Sequence, residues 1–172
     1  MNGTRLPLAL TLLAALATPV FWGQAQGQTP PAVVLAVQGD IASPLSLSAD
    51  DLGKMPRETV SLPNPDGSKT VYEGVTLFGV LQKAGVPFGE KLRGKALTTY
   101  VLAKAQDGYQ VAFTVAELDP QFANESILIA DKRDGKPLPE KTGPFRLVCP
   151  NDKAGARSVR MLETLEVIRA AK

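Results

Sequence analysis

Histidine is missing from all 172 residues of the chain. That absence excludes serine–histidine–aspartate and cysteine–histidine nucleophilic sites, histidine metal ligands, and switches driven by imidazole near neutral pH. There is a single cysteine, Cys149, so no disulfide can form within the chain. It ends the apolar run Phe145–Cys149, just ahead of Pro150. A small buried hydrophobe is the expected role there, with a reactive thiol as the alternative. Aromatic residues make up only 6% of the chain, too few for a nucleic-acid surface built on base stacking. Neither sign of charge dominates. Lys and Arg total 19 against 17 Asp and Glu, so the global field selects neither nucleic acid nor a membrane surface. Internal repeats and long low-complexity tracts are also lacking.

What is present begins with a targeting pattern. Arg5 and the amino terminus form a short positive region, Leu6 to Pro19 carries no charge, and Gly23-Gln24-Ala25 offers small residues for cleavage. Residues 1–25 read as a secretory signal peptide, too short and wrongly flanked for a membrane-spanning helix; an uncleaved anchor is the alternative. No cysteine lies near the cleavage point and no arginine pair precedes the apolar region. A Sec-type signal is therefore expected, with the mature protein periplasmic or secreted and not inserted in the membrane. Cleavage after Ala25 leaves 147 residues, enough for one domain with its own core.

Residues 26–46 read as a linker and first strand, with a polar tail over 26–31 and the apolar run Ala32–Val37. The domain proper is expected over 47–172. Ser48 ahead of Asp50 and Asp51 marks a helix start. Glu58 to Leu62 alternates as a strand, Pro63-Asn64-Pro65-Asp66-Gly67 turns, and Thr70 to Tyr72 returns. Leu77, Val80, Leu81 and Ala84 are spaced for a helix that Gly85 ends. Thr98–Ala103 and Gln110–Phe113 read as strands joined across Gln106-Asp107-Gly108. Thr114 and Glu117 suit a capping box, and Ile127–Ala130 is a further strand. Many short strands with about three short helices, and no alternation of strand and helix, predict a mixed, mostly β, α+β domain.

Charge is uneven along the chain. Lys132 to Arg160 holds eight bases against three acids. A solvated face is one reading of such a run and an anion site the other. Near its centre, Gly143-Pro144 opens a strand, a Gly-containing loop over 151–157 carries Asp152, Lys153 and Arg157, and an alternating strand with Met161, Leu165 and Val167 follows. Arg146 lies in the first of these strands. Guanidinium forks at Arg146 and Arg157 suit a carboxylate, phosphate or carbonyl oxygen. As a loop residue, Arg157 is expected to be exposed.

Four ordered blocks carry a resemblance: YEGVTLFGVLQKAGV at 72–86, DGYQVAFTVAELD at 107–119, ADKRDGKPLP at 130–139 and GPFRLVCPNDKAGARSVRMLETLEV at 143–167. Together they resemble the molybdopterin-binding domain of sulfite-oxidase-type oxidoreductases, over roughly Leu47 to Val167. The closest likeness is to the short, single-domain branch that includes periplasmic pterin-binding proteins. The resemblance implies a compact mixed domain with a pterin pocket at one end. In the family's enzymes a cysteine thiolate ligates molybdenum. The corresponding stretch, Arg57 to Thr70, has no cysteine, and Cys149 belongs to a later strand. Lys141-Thr142-Gly143 stands where family enzymes tend to have a histidine ahead of Pro-x-Arg.

What the resemblance then implies is a pterin or molybdopterin pocket without a molybdenum ligand. A pterin presents an N–H edge to a carboxylate and a carbonyl to an arginine. Asp152 with Arg157, or Asp107 with Arg146, suits those edges; Tyr109 suits stacking or a hydrogen bond, and Lys153 adds charge. The plainer alternatives are a turn role for Asp107, an ion pair for Arg146 and a solvated loop for Asp152 and Lys153. Three functions are open. One is an exported pterin-binding or pterin-sensing protein working with a membrane receptor or redox partner. The second is a molybdopterin-dependent oxidoreductase or a subunit of one. The third is an interaction module whose pocket has decayed.

Overall fold

Side-chain oxygens write the helix starts. Ser48 caps Ala49–Gly53 (α1) and closes a reciprocal box with Asp51. Thr76 caps Leu77–Lys83 (α2) through the Gly79 amide. Thr114 and Glu117 form the second reciprocal box, on Val115–Leu118 (α3). Each cap satisfies an amide that the helix itself leaves free. Gly85 takes the positive φ of 84° that ends α2. The computed structural model describes residues 33–170, so the signal peptide expected over 1–25 lies outside the described residues. Among the described residues no helix is long and apolar enough to cross a membrane.

The strands, in chain order, are β1 (Leu35–Gly39), β2 (Leu45–Leu47), β3 (Glu58–Pro63), β4 (Lys69–Thr76), β5 (Thr99–Ala105), β6 (Gln110–Thr114), β7 (Leu128–Arg133), β8 (Lys136–Pro137), β9 (Arg146–Val148) and β10 (Leu162–Arg169). They form two sheets. The first runs β2-β1-β10-β5-β6; the second runs β3-β4-β7-β8, with β9 also pairing β7. β1 lies parallel to β10, and the other pairs are antiparallel. The expected mixed, mostly β domain with three short helices is what forms.

β4 is longer than the Thr70–Tyr72 arm read from the sequence. It continues to Thr76 through a register shift between Glu73 and Gly74. Glycine is required at that shift, because a Cβ on Gly74 would collide with the Ile129 carbonyl. β7 likewise extends beyond Ala130 to Arg133. Met161, expected in the last strand, lies just before β10 at a φ of 48°.

Both sheets contribute to the main core: Leu35, Val101 and Leu165 from the first, Val75, Ile129 and Leu147 from the second, with α2 supplying Leu77, Val80 and Leu81. Phe113 and Phe145 are fully buried, each worth roughly 1.5–3 kcal/mol by transfer from water. Side chains alternate along a strand, so the second sheet also carries a smaller cluster. Tyr72, Leu128, Ala130, Leu138 and Val148 form it, with Val60 and Leu62 packed against them.

Candidate functional site

The charged loop is a crossing between the two sheets. β9, before it, pairs with β7; β10, after it, pairs with β1 and β5. The returning chain is fastened beside the entering one. The Leu147 amide donates to the Val159 carbonyl at 2.8 Å, and the Leu162 amide to the Phe145 carbonyl at 2.8 Å. Gly155–Arg157 makes a 3-10 turn within the crossing.

Arg157 anchors this crossing. Its Nε and Nη2 donate to the two Asp152 oxygens at 2.9 and 2.6 Å, and Nη1 donates to Glu117 at 3.1 Å. The guanidinium also stands 5.3 Å from the centroid of the Phe113 ring. The hydrogen bonds to Asp152 raise the arginine pKa above its ordinary value, and the same bonds hold Asp152 below the usual carboxylate range. The expected exposed loop arginine is therefore a half-buried tie, its side chain only 32% exposed. Two acids satisfy Arg157, and Asp152 is satisfied in return. Lys153, on the same loop, is exposed.

Asp107 and Tyr109 come together with Ser158 and Arg160 around a cavity of about 240 Å3. The Tyr109 hydroxyl donates to the Ala156 carbonyl at 2.8 Å, tying the β5–β6 hairpin to the crossing. Asp107 accepts from the Tyr109 amide at 3.0 Å, the turn role that its place before Gly108 suggested. Ser158 accepts from the Cys149 amide at 3.1 Å.

Arg146 has neither Asp107 nor Arg157 as a partner. It projects from β9 on the side of the small apolar cluster. Its Nη1 donates to the Tyr72 hydroxyl at 3.0 Å, and its guanidinium lies 5.1 Å from the centroid of that ring. Its Nε is buried without a hydrogen-bond partner among the described residues. Burial pushes the Arg146 pKa down; Tyr72 offsets part of this, while the charges of Arg160 and Arg133 add to it. A half-buried cation with a free donor and two more guanidinium groups acting on it is suited to an anionic or strongly polar oxygen. Tyr72, like Ser158 and Arg160, is not singled out by the sequence. Arg160 was signalled only by belonging to the basic run, and Tyr72 by nothing local.

The donor set for a metal is different. Among the described residues no group of three or more His, Cys, Asp or Glu could hold an ion. The Arg57–Thr70 stretch holds β3, the turn and the start of β4, and the side chains of Asn64, Asp66, Ser68 and Thr70 bond to one another. Cys149 is buried; burial, with the Asp152 charge nearby, pushes its thiol up to about 12. A thiolate is disfavoured there.

Three comparisons with known proteins bear on this arrangement. A family model, the oxidoreductase molybdopterin binding domain, matches residues 64–172. Among solved structures, the chain is similar to the sulfane dehydrogenase SoxCD from Paracoccus pantotrophus. The two share 20% identity with a TM-score of 0.63, over 80% of this chain and 38% of that one. The likeness is one of fold, and this chain spans well under half of the enzyme's chain. A search of curated proteins found no match.

Proposed function

Since the chain belongs to the oxidoreductase molybdopterin-binding domain family, we propose that it binds a pterin through Arg146 and Arg160 as an exported pterin-binding or pterin-sensing protein, without molybdenum catalysis. The observation that carries this reading is the half-buried Arg146 guanidinium, whose Nε has no partner among the described residues. An oxygen of a pterin ring, or of the phosphate arm of molybdopterin, supplies the acceptor that this group lacks. Arg160 adds charge, and Asp107 and Tyr109 beside it offer an acceptor and an aromatic face.

The organic part of the cofactor fits these residues; the metal does not. A high-valent molybdenum centre supplies oxidation–reduction chemistry when a soft thiolate holds it. Here the Arg57–Thr70 stretch contains no cysteine, and Cys149 is a buried thiol on another strand. An oxidoreductase, or a subunit of one, is the alternative that the family name favours. The small apolar cluster of Val60, Leu62, Tyr72 and Val148 beside Arg146 favours the third reading, an interaction module whose pocket has filled. The Sec-type signal expected over residues 1–25 supports a periplasmic or secreted protein, whose ligand state a membrane receptor or redox partner would read.

The test is titration of oxidised and reduced pterins into the protein, followed by pterin fluorescence. Loss of a charge-assisted hydrogen bond is worth roughly 1.5–3 kcal/mol, so Arg146→Ala should weaken binding about 10- to 150-fold. Elemental analysis should find no stoichiometric molybdenum in protein purified from its native compartment. Binding that ignores Arg146 would put the pocket elsewhere, and no binding of any pterin would favour the interaction module. Stoichiometric molybdenum would restore the oxidoreductase.

A further inference from the structure

A second cleft lies between the start of α2, the beginning of β3 and the connection from α3 to β7, and it encloses about 450 Å3. It shares no residue with the Asp107–Arg160 cavity. Its volume is that of a site for a small organic molecule. Phe78, Leu118 and Ile127 contribute to an apolar wall, and Glu58, Glu125 and Ser126 give it polar groups.

The two carboxylates have no counterion within the cleft. Glu125 Oε2 is buried with no hydrogen-bond partner among the described residues; a carboxylate oxygen left so costs free energy until something donates to it. Glu58 accepts from the Ser126 hydroxyl at 3.1 Å, which ties it to the strand entry that carries Glu125. Among the described residues no lysine or arginine lines the cleft. The nearest base in sequence, Arg57, is committed to Asp131 by two bonds of 2.7 and 2.6 Å. Two of the amides at the start of α2 are already taken. Leu77 N–H is bound to the Ile127 carbonyl at 2.8 Å and Gly79 N–H to the Thr76 hydroxyl at 3.0 Å.

We propose that this cleft binds a small organic cation, a protonated amine carried on an apolar or aromatic body. The ammonium donates to Glu125 and Glu58, and the body lies against Phe78 and Ile127. A bare divalent ion is a poor fit, because it asks for six or more oxygens where two carboxylates face an apolar wall.

The experiment uses 2-phenylethylammonium as the cationic probe, 2-phenylethanol as its neutral counterpart and 3-phenylpropanoate as the anionic one. Each is titrated into the isotope-labelled protein at low salt while amide shifts are followed. The ammonium should move the Phe78, Ser126 and Ile127 amides, and the other two should not. Glu125→Gln should weaken that binding about 10- to 150-fold and leave the melting temperature unchanged or higher, because the partly buried carboxylate has no hydrogen-bond partner at Oε2 to lose. Glu58→Gln, at an exposed residue, should weaken binding and leave the fold intact, which keeps the test valid if Glu125→Gln folds poorly. Arg146→Ala should bind the ammonium as wild type does, so failure here and failure of the pterin reading are separate results. Equal binding of the alcohol, no shift with the ammonium, or wild-type affinity in both glutamine variants would overturn the proposal.

Discussion

Arg57, Arg146 and Arg157 each carry a guanidinium fork, and their partners give each a different role. Arg57 makes a bidentate pair with Asp131 between the α1–β3 connection and β7. Arg157 holds two carboxylates, Asp152 and Glu117. Among the described residues Arg146 holds only the Tyr72 hydroxyl. A fork satisfied by acids serves the fold, whereas a fork with a buried free donor carries an unmet hydrogen bond. Removing Arg157 leaves two acids without their common base. Arg157→Ala should therefore lower stability by about 1–2 kcal/mol after allowance for partial exposure, or roughly 2–8 °C in melting temperature. Arg157→Lys should recover little of this, since one ammonium cannot reproduce the bidentate contact. A scanning-calorimetry comparison decides it: an Arg157→Ala variant melting with wild type would mean that the crossing is held by its backbone bonds alone.

Short elements depend on their ends. α3 is four residues long, and its capping box supplies two hydrogen bonds, Thr114 N–H to Glu117 at 2.7 Å and Glu117 N–H to Thr114 at 3.2 Å. Thr114→Ala should cost about 0.5–2 kcal/mol, read as a lower urea midpoint with an unchanged slope. Glu117→Gln should keep the box, because glutamine serves it too, and should weaken only the tie to Arg157; a Thr114→Ala variant with the wild-type midpoint would mean that the cap contributes nothing of its own. Caps of this kind were legible in the sequence because their partners lie three residues apart. The same locality made the α2 stripe, the 63–67 turn, the Asp107 turn and the burial of Cys149 readable. What was not readable depends on distant pairing. The extension of β4 rests on Gly74 meeting Ile129, and the division of β9 and β10 between two sheets rests on partners far along the chain. Tyr72 reaches Arg146 across 74 positions, so the orphaned arginine could be named from the sequence but its surroundings could not. Asp152 and Arg157, five apart, were named together as ligand groups, and only their geometry shows that they satisfy each other.

Stability against pH belongs to the whole molecule, and here it lacks its usual central component. With no histidine, no side chain of ordinary pKa titrates between about pH 5 and 8, and a plateau is expected there. On the acid side, the Arg157 hydrogen bonds depress Asp152, the Ser48 hydroxyl depresses Asp51, and the Ser68 hydroxyl depresses Asp66, each from an ordinary 3.8. As pH falls the unfolded chain takes up these protons first, so this contribution is complete above 3.8 and is lost through the lower, folded values. On the alkaline side, burial raises the Cys149 thiol from 9.0 to about 12. Above pH 9 the unfolded chain releases this proton while the folded chain retains it. Stability from the neutral thiol is therefore complete below pH 9 and is lost as pH rises towards 12, by up to about 1.4 kcal/mol per pH unit. Other groups titrate in that range, so the informative quantity is a difference. Urea unfolding of wild type and Cys149→Ala, measured from pH 7 to 11 with a reductant present, should show the variant less stable at neutral pH through lost packing. The gap should then narrow steadily above pH 9, because alanine has no proton to lose. Curves that stay parallel to pH 11 would mean that the thiol ionises equally in both states, and with that the buried, neutral Cys149 would have to be given up.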